Sequence, residues 1–287
     1  MPEGGAINLD GRGLTAIPAE VFQDASLTSL SLFRNMLKEL PDGLWRLSQL
    51  ETLNLGDNLL EAIPDSIGRL RQLRMLDLGH NRLTSLPEAL GELTALSGFL
   101  YLSNNRLAAL PESLGNLAAL RYLNVSDNLL TALPARLGGM KALRELRLYR
   151  NCLTSLPVSI GDLVHLKELH VQQNRLASLP ESVGHLRELR ELDLEDNALT
   201  SLPQSIGELG QLRRLNLRNN AIATLPSSLG HLARLTHLDL RANPLRNLPE
   251  EISALADLEK LDLRWCPLEH APKWIAALQA RGCTVYQ

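Results

Sequence analysis

The chain has 287 residues, a formal net charge of −3 at pH 7, a hydrophobic content of 45% and an aromatic content of 3%. This length accommodates one or two domains with a buried core, and leucine supplies most of the apolar side chains. The slightly negative charge argues against nucleic acid and anionic membranes as partners, because both attract strongly basic proteins.

The sequence also bears on the compartment. The first residues, MPEGGAINLDGRG, lack the basic and apolar segments of a signal peptide, and no run of about 18 apolar residues predicts a membrane span. The three cysteines, Cys152, Cys266 and Cys283, are odd in number and dispersed, which favours a reducing compartment. We therefore expect a cytoplasmic protein. A protein delivered into a host cytosol by a non-classical secretion route would share these features.

An asparagine recurs along most of the chain at a fixed interval. The interval is 23 residues, apart from one of 24 between Asn81 and Asn105. Continuing this phase reaches Arg12 near the start and Cys266 near the end. We therefore predict twelve units, each with a proline six residues after this position. The regular members, called ladder residues below, are Asn35, Asn58, Asn81, Asn105, Asn128, Asn151, Asn174, Asn197, Asn220, Asn243 and Cys266.

The repeating unit is LxxLxLxxNxLxxLPxxLGxLxx. Over nearly the whole chain it resembles the 23-residue type of leucine-rich repeat. The resemblance implies an α/β repeat solenoid, a leucine-rich-repeat horseshoe with a concave parallel β-sheet and convex turns or short helices. It also implies that the ladder residues are buried and bond the backbone of neighbouring units, which satisfies polar groups that water cannot reach. Cysteine is a common substitute at this position, whereas arginine is not.

The repeat also predicts the domain organisation. We expect a single leucine-rich-repeat domain over residues 1–287, with a degenerate first unit at 1–26 and a C-terminal helix–strand cap at 270–287. In the cap, a helix is expected over residues 274–280, followed by a last strand. The N-terminal edge of the sheet is less protected and is expected to be able to pair with another copy.

Three local features of the repeat have structural explanations. Most of these prolines follow a leucine, and they are expected at the first position of a convex turn. A glycine ten residues after the ladder residue, in eight successive units, indicates a positive φ or tight packing. The one extra residue, near positions 97–99, predicts a local bulge.

The positions two, four and six residues before each ladder residue are expected to face the concave side, because they alternate with buried leucines. Most of the Phe and Tyr residues occur there, and Phe99, Tyr101, Tyr122 and Tyr149 fall on three successive strands. We predict that these four form one partner-binding patch, since aromatic residues and arginine dominate protein interfaces. The alternative is that the rings only stack across strands. Residues predicted to border the patch or lie at the concave edge are Arg147, Arg150, His170 and Trp265.

A second candidate surface is a column of three arginines on adjacent strands, Arg218, Arg241 and Arg264. Such a column could bind an acidic peptide or a phosphate. Asp239 and Asp262 lie two residues away in the same strands and could neutralise it, so a self-paired, solvated face is the favoured interpretation. We keep the three arginines as candidate partner-binding residues.

The sequence favours a protein that binds another macromolecule over an enzyme. No cysteine or histidine has a catalytic partner in phase, no HExxH spacing occurs and no glycine-rich phosphate loop is present, so we predict no catalysis, no cofactor and no metal. We expect a protein-interaction module or scaffold that binds a protein partner on its concave face. We expect no contact with nucleic acid or membrane, and a monomer or weak homodimer.

The resemblance adds a functional context. The 23-residue form is similar to plant Ras-group and animal scribble-type repeats, which implies signalling partners such as small GTPases and phosphatases. Similar bacterial proteins imply an effector role instead. Two alternatives stay open: a structural or self-assembling repeat protein, and the recognition domain of a longer protein such as a ubiquitin-ligase effector or a kinase.

Overall fold

The computed structural model describes residues 5–287. These residues form two compact units, unit 1 up to Leu143 and unit 2 from Arg144 to Gln287. Both units combine a parallel sheet of short strands with an outer layer of 3-10 helices. The assignment of residues 1–287 to one domain stays a prediction, and residues 1–4 of the predicted first repeat lie outside the described residues.

Unit 1 has six strands, and each pairs in parallel with the next along the chain. The strands are parallel because each repeat returns the chain to the same edge of the sheet before the next strand starts. They are β1 (Ala6–Asn8), β2 (Ser29–Ser31), β3 (Thr52–Asn54), β4 (Met75–Asp77), β5 (Phe99–Tyr101) and β6 (Tyr122–Asn124).

Unit 2 has seven strands that pair in the same way. They are β7 (Glu145–Arg147), β8 (Glu168–His170), β9 (Glu191–Asp193), β10 (Arg214–Asn216), β11 (His237–Asp239), β12 (Lys260–Asp262) and β13 (Thr284–Tyr286). The predicted fold class, a repeat solenoid of parallel strands and short outer helices, is confirmed.

Short 3-10 helices connect the strands on the outer side. In unit 1 they span Ala19–Gln23, Asp42–Arg46, Asp65–Arg69, Glu88–Glu92, Glu112–Asn116 and Leu137–Gly139. In unit 2 they span Val158–Asp162, Glu181–His185, Gln204–Glu208, Ser227–His231 and Glu250–Ala254. Their shortness explains why the leucine pattern of the sequence gives no long amphipathic period.

The recurring proline lies directly before the first helical residue, so its predicted place inside the turn is wrong by one position. Pro41 illustrates the reason: its φ of −75° suits a helix, but its ψ of 153° is extended. Its carbonyl accepts the first 3-10 hydrogen bond, from Leu44 N at 3.0 Å. Two helices depart from this pattern within the described residues. The helix at Leu137–Gly139 follows Arg136, and the helix at Ile275–Ala280 follows Trp274.

The recurring glycine lets neighbouring 3-10 helices approach closely. A Cβ atom at Gly184 would lie 2.6 Å from the carbonyl oxygen of Ser205. This glycine does not have a positive φ, so of the two explanations tight packing is the correct one. Positive φ angles of 53–64° occur instead at the residue that precedes each of the eleven ladder residues. None of these preceding residues is a glycine. The sequence pattern did not predict this feature.

Most strands bury their middle residue and expose the two flanking residues more, as in β3 and β9. The middle residues of β1 and β13 are half-buried, and β6 and β12 also bury their last residue. The middle leucines pair in register across the sheet, for example Leu30 with Leu53. Burial of one leucine side chain contributes about 1.5–3 kcal/mol to stability. The positions two, four and six residues before each ladder residue therefore lie on the side of the sheet opposite to the buried leucines. We call this side the strand face.

The ladder residues bond each repeat to the one before it. Asn58 donates from Nδ2 to Leu32 O of the preceding repeat at 2.9 Å and to Leu55 O of its own at 3.1 Å. Its Oδ1 accepts a hydrogen bond from Leu37 N at 3.0 Å. One side chain thus satisfies three backbone groups that are buried between repeats.

Burial of the ladder is less complete in unit 2 than predicted. Asn174, Asn197, Asn220 and Cys266 are half-buried. The three asparagines keep the same set of bonds, and the Cys266 thiol donates to Leu240 O at 3.1 Å. Hydrogen-bonding capacity, which these residues retain, defines the ladder better than burial does.

The single 24-residue interval is accommodated by a bulge before β5. Ser97 N and Gly98 N both donate to Arg74 O, at 3.3 and 3.0 Å, and pairing with β4 begins only at Leu100. From Phe99 onwards β5 pairs in full register with β6. The extra residue therefore leaves the aromatic side chains of β5 on the strand face.

Unit 2 ends with one α-helix, α1 (Ile275–Ala280), and β13. Ile275 and Leu278 are buried, and Gly282 ends this segment with a φ of 96°. The helix begins one residue later than predicted. Within residues 5–287, no helix has both the length and the apolar character needed to cross a membrane.

The close approach at the recurring glycine yields a testable expectation. Gly184→Ala should lower the free energy of unfolding by about 1–3 kcal/mol, because the new methyl group overlaps Ser205. The matched control is Gly210→Ala, where a Cβ would meet no atom within 4 Å. We expect the control to be neutral or slightly stabilised in urea unfolding. Equal losses for the two variants would contradict the packing account.

Candidate functional site

The strand faces of the two units carry different chemistry. In unit 1, the positions that form this face include no lysine or arginine, and their charged residues are Asp10 and Asp77. In unit 2, the same positions include six lysine or arginine residues beside several carboxylates: Arg147, Arg214, Arg218, Arg241, Lys260 and Arg264. We therefore describe the candidate binding residues of each unit separately.

Three of the predicted aromatic residues come together in unit 1. The ring centroids of Phe99 and Tyr101 lie 4.9 Å apart, and those of Tyr101 and Tyr122 lie 5.1 Å apart, with tilted planes. All three side chains are half-exposed. Tilted contacts at these distances are favourable for aromatic rings. We call Phe99, Tyr101 and Tyr122 the aromatic cluster. Tyr149 belongs to unit 2, so a single four-residue patch stays a prediction.

A pocket of about 400 Å³ opens on the strand face of unit 1 beside the aromatic cluster. Phe33 and Tyr101 line it together with Asp77 and Gly79 of β4 and its following turn. The space exists because the strand-face positions between the two rings carry Gly56 and Gly79, which have no side chain. Asp57 and His80 also line it. We call this the unit 1 pocket.

Asp77 is the half-buried carboxylate of this pocket. Its Oδ1 accepts a hydrogen bond from Gly79 N at 2.8 Å. Burial raises the pKa of Asp77 above its ordinary value of 3.8, and this effect outweighs the Gly79 hydrogen bond and the nearby His80. Asp77 was not among the site residues predicted from the sequence. The sequence feature that could have indicated it is the pair Gly56 and Gly79, which leaves Asp77 as the charged strand-face residue between Phe33 and Tyr101.

In unit 2, the residues predicted to border the patch are largely paired. Arg147 Nε lies 2.6 Å from Glu145 Oε1, and Arg150 Nε donates to the Gln173 side chain at 2.7 Å. Tyr149 and Arg150 both line a second pocket, which extends to the carboxylates of β9 and its turn. The positive and negative side chains of this surface therefore largely balance one another.

His170 lies beside two glutamates on β7 and β8. Its Nε2 is 3.3 Å from Glu168 Oε2, and one ligand-type atom each of Glu145, Glu168 and His170 lie within 4.8 Å of one another. These three residue types can hold a divalent cation. However, the Arg147 guanidinium already supplies a positive charge to Glu145, so the group is compensated by the chain itself.

The three arginines of the predicted column are paired with acids of the same face. Arg218 lies 3.1 Å from Glu195, Arg241 Nε lies 2.9 Å from Asp239, and Arg264 lies 2.7 Å from Asp262. This arrangement matches the self-paired interpretation. The arginines stay candidates for partner binding, but an acidic ligand would have to compete with these carboxylates.

Asp262 is the centre of this charge network. Its side chain is 0% exposed and receives Arg264 on one side and Arg241 Nε, at 3.5 Å, on another. Burial works to raise the pKa of Asp262. The hydrogen bonds from Arg264 and the charges of both arginines outweigh this effect, and the pKa lies below its ordinary value of 3.8.

Trp265 lies near the end of unit 2, beside the cationic side chain of Arg264 and the aromatic ring of Tyr286. Its side chain is 67% exposed, and the Arg264 guanidinium lies 5.6 Å from its ring centroid. The same guanidinium lies 5.0 Å from the ring of Tyr286 in β13. Trp265 is also one of the positive-φ residues, with φ 64°. The turn conformation thus directs the largest side chain of this segment outwards.

Comparison with known families identifies the repeat. Residues 63–156 and 152–243 match the family model described as a leucine-rich repeat region. Residues 6–60 and 234–255 match further models described as leucine-rich repeats. No curated protein sequence matches the chain.

Solved structures show the same fold. A leucine-rich-repeat protein of Leptospira interrogans is 27% identical, with 98% of this chain and 95% of that chain covered and a TM-score of 0.52. The plant peptide hormone receptor RGFR1, in complex with RGF2, is 30% identical, with 91% and 51% covered and a TM-score of 0.69. The Toll–Spätzle complex of Drosophila is 30% identical, with 89% and 35% covered and a TM-score of 0.76. The chain spans about half the receptor RGFR1 and about a third of the chain matched in the Toll–Spätzle complex.

The charge network around Asp262 predicts a pH dependence. Asp262→Asn should lower the free energy of unfolding at pH 7 by about 1–3 kcal/mol, because it removes a buried carboxylate bonded to two guanidinium groups. Since the folded pKa is depressed, this contribution is complete above 3.8 and is lost as the pH falls through the folded pKa.

Urea unfolding at pH 7 and at about pH 2.5 measures this difference. The difference between the two proteins should be smaller at the lower pH. Asp257→Asn, which changes an exposed carboxylate of unit 2, is the matched control and should have little effect at either pH. A loss for Asp262→Asn that is equally large at both values would contradict the assignment.

Proposed function

Because the chain belongs to the leucine-rich-repeat family, we propose that it is a protein-interaction module that binds a protein partner on its strand face. The observation that carries this proposal is the aromatic cluster of unit 1. Phe99, Tyr101 and Tyr122 are half-exposed and adjacent, on a face whose other side chains, apart from Phe33 and Met75, are small or polar. The middle leucines of the strands form the core, so these rings are free of that role.

The chemistry of the aromatic cluster suits a protein partner. Tyrosine provides a rigid apolar ring and a hydroxyl group at a low cost in conformational entropy, and it is enriched in protein interfaces. Rings that already contact each other are partly fixed before binding, which reduces the entropy lost on association. The stacking alternative of the sequence analysis is therefore compatible with binding.

Structural relatives lend support to this proposal. The receptor RGFR1 is in complex with RGF2, and Toll is in complex with Spätzle. By analogy, we propose that this chain acts as a scaffold or recognition module in signalling, with a bacterial effector role as the other context. The proposal includes a cytoplasmic location, a monomer or weak homodimer, no catalytic role, and no binding of nucleic acid or membrane.

A capture experiment tests the function. Immobilised wild-type chain is compared with Tyr101→Ala/Tyr122→Ala and with a control, Val158→Ala/Val164→Ala, which alters exposed apolar side chains on the outer side. We expect a protein from a cell lysate to be retained by the wild type and the control and lost by the tyrosine variant. That protein is then purified, and its affinity for the three chains is measured by calorimetry, with a loss of at least about tenfold expected.

The tyrosine variant must keep the wild-type thermal midpoint for this comparison to report on binding. Equal affinity of the purified partner for the tyrosine variant and the wild type would contradict a strand-face site at the aromatic cluster.

A further inference from the structure

We propose that the unit 1 pocket binds one cationic side chain, an arginine or a lysine, of the protein partner. This inference rests on the proposed function and specifies the chemistry of the partner. The pocket has two aromatic walls, two carboxylates without a salt bridge and no lysine or arginine among its lining residues.

The walls and floor of the pocket have the form that a cation requires. Phe33, which is 38% exposed, stands on one side, and Tyr101 of the aromatic cluster stands on the other. Gly56 and Gly79 keep the space between them open. A Cβ at Gly79 would lie 3.2 Å from Asp77 Oδ1, so even a methyl group there would crowd the carboxylate. Ring faces attract ammonium and guanidinium groups within about 6 Å.

The carboxylates of this pocket lack a lysine or arginine partner. His80 also lines the pocket and acts to lower the pKa of Asp77, but burial has the larger effect. Within residues 5–287, neither Asp57 nor Asp77 forms a salt bridge, and no lysine or arginine lines the pocket. In unit 2, by contrast, Asp239 and Asp262 each have an arginine. The strand-face positions of unit 1 also include no basic residue that could turn towards the pocket. A cation from another molecule would supply the missing charge.

The partial burial of Asp77 is unfavourable for its charged form. Burial raises the pKa of this carboxyl, so the folded chain holds the negative charge at neutral pH less readily than the unfolded chain does. An asparagine would keep the Gly79 hydrogen bond without this disadvantage. Titratable groups whose pKa is shifted by burial are frequent at functional sites. A bound cation would offset the hydration that the carboxylate loses.

Unit 2 contains a position equivalent to Asp77, but the pocket there has an arginine in its lining. Asp193 occupies the same place in its repeat, its Oδ1 accepts from Glu195 N at 3.1 Å, and burial raises its pKa as well. Its pocket, however, is lined by Arg150, and Asp193 pairs in register with His170. The pocket of unit 2 therefore contains its own cation, and Asp193→Asn is a control for the effect of neutralising a half-buried aspartate.

The test is an NMR titration of the ¹⁵N-labelled full chain. The probes are N-acetyl-arginine amide and N-acetyl-lysine amide, with uncharged N-acetyl-norleucine amide as the comparison. We expect saturable shifts of the Gly56 and Gly79 amide signals with the cationic probes at millimolar concentrations. We expect Asp77→Asn and, independently, Tyr101→Leu to weaken binding about tenfold or more, and Asp193→Asn to leave it unchanged.

Three results would overturn the inference: no saturation up to about 100 mM of either cationic probe, equal shifts with norleucine amide, or equal weakening by Asp193→Asn and Asp77→Asn. The titration needs no partner protein, so it separates the two proposals. If the cationic probes fail to bind while partner capture still depends on Tyr101 and Tyr122, the cation site is wrong and the proposed function stands. If the probes bind and no partner depends on these tyrosines, only the proposed function fails.

Discussion

The structure depends on one hydrogen-bonding pattern, the bonds that each ladder side chain makes to the backbone of its own and the preceding repeat. A stack of short strands and tight turns leaves backbone groups between repeats that water cannot reach. Each side chain, such as Asn58 or Asn81, donates to two or more carbonyl groups and accepts from one amide. Leaving such groups unpaired costs about 1–3 kcal/mol each, so the asparagine is constrained in nearly every repeat.

Because the ladder, the leucines and the glycines carry the packing, the strand face is free to vary. The two units use this freedom differently. The strand-face positions of unit 1 carry an aromatic cluster and two aspartates, Asp10 and Asp77, but no lysine or arginine, whereas unit 2 pairs most of its acids with arginines. The charges of the unit 2 face therefore compensate one another. Those of the unit 1 face have no lysine or arginine at the strand-face positions to do so.

Much of the fold was predictable because the repeat makes every structural requirement visible many times. The strand positions, the side of the sheet that carries Tyr101 and Tyr122, and the bulge near Phe99 all followed from the 23-residue phase. The positive φ before each ladder residue was not predictable, because residues as different as Arg34, Ala242 and Trp265 adopt it. A tight turn imposes that conformation, whereas side-chain preference does not select it.

The candidate site was less predictable than the fold. Aromatic residues stood out by their rarity, so the aromatic cluster was found, but Asp77 is one aspartate among many acidic residues. Its significance depends on partial burial and on the absence of a lysine or arginine from the pocket lining, which are three-dimensional properties. The arginine column was visible in the sequence, and only the distances to Asp239 and Asp262 decide that it is paired.

Hydrogen–deuterium exchange at the ladder tests this account most directly. The amides of Leu37, Leu60, Leu83 and Leu107 each donate to the Oδ1 atom of the next ladder asparagine at 3.0 Å. If the ladder holds the repeats together, these amides should be among the slowest to exchange, through cooperative opening only. Exchange as fast as that of exposed turn amides would show that the stack does not depend on these bonds.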